Sequence, residues 1–312
     1  MRRAFIKTLL ELAQKDKDIY LLTGDLGFSV FEEFKKKFPN RFINCGVAEQ
    51  NMIGVAAGLA LKGKKVFVYS IIPFITLRCL EQIRNDICLH NLNVKIVGVG
   101  AGFSYGAQGP THHAIEDLGV MRSLANLTIF CPADPIETEL VVKKIIKING
   151  PVYLRLGKSS EGNIHPKSCN FKVGRANLVK EGKDIAIIGI GPIIKNAILA
   201  TEELEKKLNI SIKIISMTTL KPLDRNIILK LAEEMRAIFT IEEHSLIGGL
   251  GSAVAEVLAE SNSKIIFKRI ALPDNFCKEV GTQEYLREKN NLSVNAIKKT
   301  IEKIWKLKIN TN

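Results

Sequence analysis

Val94-Lys95-Ile96-Val97-Gly98-Val99-Gly100-Ala101-Gly102-Phe103-Ser104-Tyr105-Gly106-Ala107-Gln108-Gly109-Pro110-Thr111-His112-His113-Ala114-Ile115-Glu116-Asp117 passes from a short apolar run, through a glycine-rich stretch, to the start of a helical pattern. A run of six residues rich in valine and followed at once by glycines reads as a buried strand that ends in a loop. The same unit recurs on either side. Apolar runs stand at 19–23, 66–69, 127–130 and 152–156, and segments with helical periodicity lie between them at 51–61, 77–90 and 135–148. Strands that alternate with helices form a parallel sheet covered by helices on both faces.

Residues 157–171 break that rhythm. Gly157-Lys158-Ser159-Ser160-Glu161-Gly162-Asn163 and the stretch through Pro166 are polar and rich in turn formers, which marks an interdomain connector. A second αβ series follows, with strands expected near 185–189, 212–216, 238–242 and 264–269, and a basic helical tail over 294–308. The expectation is an α/β chain of two domains, 1–165 and 166–312.

The chain has 312 residues, 46% of them hydrophobic and 25% charged, enough for one or two ordinary cores. The formal charge of +13 raises the question of nucleic acid. Lysine and arginine are spread along the chain, however, and the run Lys35-Lys36-Lys37 falls on a helical pattern with no interleaved aromatics, so no nucleic acid is expected. Anionic sugar phosphates or an acidic partner chain use such a surplus equally well. Six cysteines, Cys45, Cys79, Cys88, Cys131, Cys169 and Cys277, form no C-x-x-C pair, which suits a reducing compartment better than a disulfide framework or a zinc site. Charges interrupt the N-terminal apolar stretch too early for a signal peptide, and no apolar run reaches the roughly 18 residues of a membrane span. A cytoplasmic protein without a membrane partner is expected.

In open parallel sheets ligands sit beyond the carboxyl ends of the strands. Three segments there carry chemistry. Asn44-Cys45-Gly46-Val47-Ala48-Glu49-Gln50 opens a helix of small residues with a carboxylate at its start, a place where Glu49 also simply complements the helix dipole. Tyr69-Ser70-Ile71-Ile72-Pro73-Phe74-Ile75-Thr76-Leu77-Arg78 runs from a strand through Pro73 into a helix, and Phe74 by itself reads as well as core. The glycine-rich loop ends in paired histidines, which titrate near neutrality; adjacent residues rarely chelate one ion, so no metal is expected in this chain.

Taken together, Gly46-Val47-Ala48-Glu49-Gln50 before a small-residue helix, followed by Gly109-Pro110-Thr111-His112-His113, resembles the pyrimidine-binding domain of transketolases and 1-deoxyxylulose-5-phosphate synthases. Asp117-Leu118-Gly119-Val120-Met121-Arg122 and Cys131-Pro132-Ala133-Asp134 continue the likeness, and Glu242-Glu243-His244-Ser245-Leu246-Ile247-Gly248-Gly249-Leu250-Gly251-Ser252 resembles the family's C-terminal domain. The likeness covers the whole chain and makes 1–165 the pyrimidine-binding domain. Full-length members begin with a further domain that holds a diphosphate through Mg²⁺ with a Gly-Asp-Gly segment; here Gly24-Asp25 is followed by Leu26. The resemblance therefore implies one subunit of a split transketolase. A partner subunit would hold the diphosphate and most contacts to Mg²⁺, and the two would assemble as a dimer of heterodimers.

The resemblance also implies roles. Glu49 matches the buried acid that protonates the aminopyrimidine of thiamine diphosphate, since desolvation keeps a proton available on a carboxyl group. Phe74 matches the aromatic stacked on that ring, with Ile71 and Leu77 completing an apolar slot, and Asp25 matches a carboxylate near the thiazolium. His112 matches the histidine that meets the donor's reacting hydroxyls, with His113 beside it. Arg155 matches a phosphate-binding arginine, and Ser29 and Arg2 correspond to acceptor-phosphate contacts. Two positions depart from the family. Gln108 stands where transketolases usually place an aspartate that reads donor hydroxyls, and Gly100 where many have a phosphate-contacting histidine. A donor or acceptor other than ordinary pentose phosphates follows, such as a modified or nucleotide-linked sugar. A 1-deoxyxylulose-5-phosphate synthase, a 2-oxoacid dehydrogenase beta subunit, and a scaffold homologue without turnover share parts of this pattern.

Overall fold

A computed structural model describes residues 1–158 and 161–309, so Ser159 and Ser160 of the expected connector lie outside the described residues. The strands are β1 (Ile19–Thr23), β2 (Phe42–Asn44), β3 (Lys65–Ile71), β4 (Val94–Val99), β5 (Thr128–Phe130), β6 (Val152–Leu156), β7 (Asn177–Lys180), β8 (Ile185–Gly189), β9 (Ile212–Ser216), β10 (Thr219–Lys221), β11 (Ala237–Ser245) and β12 (Ile266–Leu272). They form a sheet of order β10-β5-β6-β4-β3-β1-β2 and another of order β12-β11-β8-β9-β7. Pairing is parallel throughout except at the two edges, where β10 runs antiparallel to β5 and β7 antiparallel to β9. The alternating sequence pattern thus produces the two-domain α/β architecture it predicts.

The central strands are apolar along their whole length because both faces are covered. All six residues of β4 and all five of β6 are buried. On one face, helix Arg2–Lys15 inserts Phe5, Ile6, Leu9, Leu10 and Ala13, an i, i+4 stripe, and packs beside helix Pro135–Ile145. The other face carries Met52, Ile53, Ala56 and Ala57 of helix Glu49–Leu61, and its apolar cluster continues into the second domain through Ile188, Ile215 and Val254.

Some elements differ from expectation. The helix expected over 77–90 is a single turn, Leu80–Gln82, running into a π-helical segment, Ile83–Cys88. Ile83, Ile87 and Cys88 of this segment are buried. β2, β7 and β10 are three or four residues long, too short to carry a pattern. Lys221 of β10 anchors its strand by donating to the carbonyls of Arg122 and Leu124.

The carboxyl ends of β1, β2, β3, β4 and β6 all open on one edge of the first sheet. Residues 24–29, 45–50, 72–78, 100–113 and 157–158 therefore meet there.

Candidate active site at the carboxyl edge of the first sheet

Glu49 begins helix Glu49–Leu61, and its side chain is only 1% exposed. The preceding Ala48 offers no side-chain cap, so the carboxylate is the acidic group facing the positive end of the helix dipole. Its Oε1 accepts a hydrogen bond of 2.9 Å from Ser70 Oγ, at the end of β3, and Ser70 is fully buried. Its Oε2 accepts one of 2.6 Å from the Arg78 guanidinium, whose side chain is 40% exposed. A Cβ at Gly24 would stand 3.1 Å from Glu49 Oε1, so the turn after β1 lies tightly against the carboxylate, which would have to shift to admit a side chain there.

Around this acid stands a rim of rings and cations. Phe74 is half-buried on the short helix Ile72–Ile75, with Pro73 fixing its first turn, and the Arg78 guanidinium carbon lies 4.5 Å from its ring centroid. The His112 ring meets Phe74 edge-on at 5.0 Å, and its Nδ1 is 3.0 Å from Thr111 Oγ1. Burial lowers the His112 pKa below its usual 6.5, so the ring is neutral at pH 7. Tyr105 lies 6.2 Å from His112, and Lys158 holds its ammonium 4.5 Å above the Tyr105 ring. Arg2 reaches the same place and donates from Nε to the Lys158 carbonyl at 2.6 Å.

The second domain braces the loop that carries His112. Glu243 Oε1 accepts the Phe103 N–H at 2.8 Å, and Arg287 clamps Glu243 Oε2 at 2.5 Å. Gly102, at φ +61°, lies so close that a Cβ there would stand 2.5 Å from the Glu243 carboxyl carbon. The Gly100 departure has a local cause: its φ is +98°, and the Tyr105 ring fills the space a side chain would take, at 2.2 Å from a Cβ.

Three residues are placed otherwise than the sequence suggests. Arg155 is 3% exposed, and its Nε and Nη2 donate to Asp117, the Ala114 carbonyl and the Glu243 carbonyl, so these donors are engaged inside the protein and not held out toward a phosphate. His113 is 3% exposed with its ring edge-on against Phe103 at 5.0 Å, so it is packed under the loop and not presented at its surface. Leu77 is 42% exposed and does not close a slot with Ile71, which packs in the core beneath Phe74.

Asp25, Ser29 and Gln108 are exposed. Asp25 adopts φ +57° and accepts from Asn44 Nδ2 at 2.9 Å, an arrangement that ties the turn after β1 to the end of β2. Ser29, at φ +61°, donates its N–H to Glu32 Oε1, and Gln108 sits on the 3₁₀ turn Gly106–Gln108. Sequence reasoning missed Arg78, Tyr105 and Lys158. Arg78 was signalled by its i, i+4 spacing from Phe74. Lys158 stands directly beyond a strand end, but its polar neighbours hid it within the connector.

The sheet order, the buried acid at a helix start and the histidine-bearing loop stand together at one edge of the first domain, and the chain belongs to the transketolase family. Residues 1–162 match the transketolase pyrimidine-binding domain and 174–297 the transketolase C-terminal domain. Among its relatives, one of the subunits of the apulose-4-phosphate transketolase of Phocaeicola vulgatus is 40% identical over 275 residues, covering 88% of this chain and 87% of that protein. The 6-deoxy-6-sulfo-D-fructose transketolase subunit SqwH of a Clostridium species is 37% identical, over 99% of this chain and 95% of its own length. A solved split-gene transketolase, described as an inactive beta4 tetramer, superposes with a TM-score of 0.89 at 41% identity, covering 98% of each chain.

The residues present fit an aminopyrimidine. A buried carboxylate keeps one oxygen, Oε2, on the side of an accessible guanidinium, and an aromatic face stands next to it. Among the described residues, no group of three His, Cys, Asp or Glu side chains is gathered as a metal site, and no helix is long and apolar enough to cross a membrane.

Proposed function

We propose that this chain is the pyrimidine-binding subunit of a split transketolase, which transfers a two-carbon ketol unit between phosphorylated or otherwise anionic sugars. A partner subunit supplies the diphosphate-binding half and the Mg²⁺ contacts, and the complex assembles as a dimer of heterodimers in the cytoplasm. The observation that carries this reading is Glu49, buried at a helix start with one oxygen pinned by Ser70 and the other held by Arg78, whose guanidinium lies over the Phe74 ring.

Thiamine diphosphate supplies, when bound, a thiazolium carbon acidic enough to become the nucleophile, provided its pyrimidine ring is protonated. Glu49 holds the proton for that ring at Oε2, with Ser70 fixing the carboxyl orientation. Phe74 offers the stacking face. His112, neutral at pH 7, takes or returns a proton at the substrate hydroxyls. Lys158 and Arg2 give the rim its positive charge, which suits the terminal anion of a sugar phosphate or sugar sulfonate; the sugars for which the two relatives are named carry groups of these kinds. Asp25, Ser29 and Gln108 line the approach, where Gln108 hydrogen-bonds a hydroxyl without adding charge.

The chain purified alone turns over no ketose, and activity appears when the partner, thiamine diphosphate and Mg²⁺ are added. Ketose cleavage by the isolated chain sinks the split reading. Pyruvate consumption with release of CO₂ by the complex moves the assignment to the synthase or dehydrogenase branch.

A further inference from the structure

Arg78 occupies both places that the proposed function gives to the cofactor's pyrimidine. Its guanidinium donates to Glu49 Oε2 at 2.6 Å, and its carbon lies 4.5 Å from the Phe74 ring centroid. The other carboxylate oxygen is not open to a visitor, because Oε1 is enclosed between fully buried Ser70 and the backbone of Gly24. A guanidinium and an aminopyrimidine also share their relevant features: each is planar and delocalised, presents N–H donors at its edge, and stacks on an aromatic face. The Arg78 side chain is 40% exposed, so solvent is open to it when it leaves. Its backbone would stay in place, because Gln50 Nε2 donates to the Arg78 carbonyl at 3.1 Å.

We infer that Arg78 is a built-in stand-in for the pyrimidine, filling the site in the uncombined subunit and swinging off Glu49 when the cofactor seats. Two consequences follow for the site. Glu49, which would otherwise be a buried carboxylate with half its hydrogen-bonding capacity unused, is satisfied while the subunit waits for its partner. Cofactor binding is weakened by whatever free energy the Arg78 contacts contribute, so an empty subunit resists premature loading. The inference rests on the proposed function, since it takes Glu49 and Phe74 to be the pyrimidine contacts.

The test is equilibrium dialysis of thiamine diphosphate, with Mg²⁺, against the complex of this chain with its partner subunit. Arg78→Met keeps a flexible stem over Phe74 but no charge and no N–H donors, and Arg78→Gln guards against a misfolding artefact in either variant. Both variants are expected to bind the cofactor about five-fold or more tightly than wild type, while Glu49→Gln binds it more weakly. Unchanged or weaker binding in both Arg78 variants overturns the stand-in and makes Arg78 a bystander or a direct ligand, with the functional reading intact. Wild-type complex that binds no thiamine diphosphate, or Glu49→Gln and Phe74→Ala complexes that bind it like wild type, overturns the functional reading and the inference together.

Discussion

Glu49 lies between two donors of opposite character, a fully buried hydroxyl on Ser70 and an accessible guanidinium on Arg78. Glu49→Gln preserves the shape and can still meet Ser70, so the melting temperature should move little. Reconstituted turnover should fall by about 10²–10⁴-fold, the usual worth of a positioned proton donor. Retention of full turnover sinks the role of this acid and favours a scaffold. His112 carries a pH signature. Because burial pushes its pKa below 6.5, the neutral ring needed for proton acceptance persists to slightly acidic pH, and the acid limb of kcat/KM should lie below pH 6.5. His112→Gln should lower the plateau and flatten that limb, and a limb that survives unchanged assigns it elsewhere. Arg155 and Lys158 separate structure from binding. Arg155→Ala leaves Asp117 buried without its ion-pair partner and should cost about 3–5 kcal/mol in denaturant unfolding. Lys158→Ala should instead raise the KM for an anionic sugar, with unfolding almost unchanged.

At the scale of elements, the turn after β1 and the start of helix Glu49–Leu61 approach so closely that one methyl group matters. Gly24→Ala places a Cβ 3.1 Å from Glu49 Oε1 and should turn the carboxyl away from Ser70, weakening cofactor binding far more than it lowers stability. Equal cofactor affinity in wild type and variant would show that the carboxyl tolerates the shift. Strands such as β4 and β6 were legible because burial on both faces makes them uniformly apolar, and the helix at 51–61 was legible from its continuous small and apolar residues. The segment 77–90 misled because apolar spacing records which residues are buried and not the width of the turn that buries them. Arg155 misled for a similar reason: a strand-end arginine looks available until Asp117, far along the chain, is seen closing on it. Ordered motifs singled out Glu49, Phe74 and His112, whereas the ring contacts of Arg78 and Lys158 emerge only once the chain is folded.

At the scale of the whole molecule, the two domains are joined by a buried polar seam. Asp134 caps helix Pro135–Ile145 and faces His165 Nδ1 at 3.1 Å, while Glu137 faces His165 Nε2 at 3.3 Å. From the second domain, Asn177 and Thr218 donate to Glu137 Oε1 at 2.8 and 2.6 Å. Burial alone would lower the His165 pKa, but the Asp134 hydrogen bond and the charges of Glu137 and Asp134 outweigh it and raise the pKa above 6.5. A raised folded-state value means the stabilisation is complete below pH 6.5 and disappears as pH climbs through the folded value. His165→Asn should therefore lower the melting temperature more at pH 6 than at pH 8.5, and a deficit independent of pH would show that the ring stays neutral throughout.

The exchange of β10 into the first sheet has a consequence for how such genes can be rearranged. The two halves are not interchangeable cassettes, because the later one lends a strand that closes the border of the earlier one at β5. A fragment ending at residue 165 would leave the Thr128–Phe130 backbone as an open template for intermolecular pairing. Recombination at the connector would succeed only between chains whose Thr219–Lys221 segment still fits the foreign border.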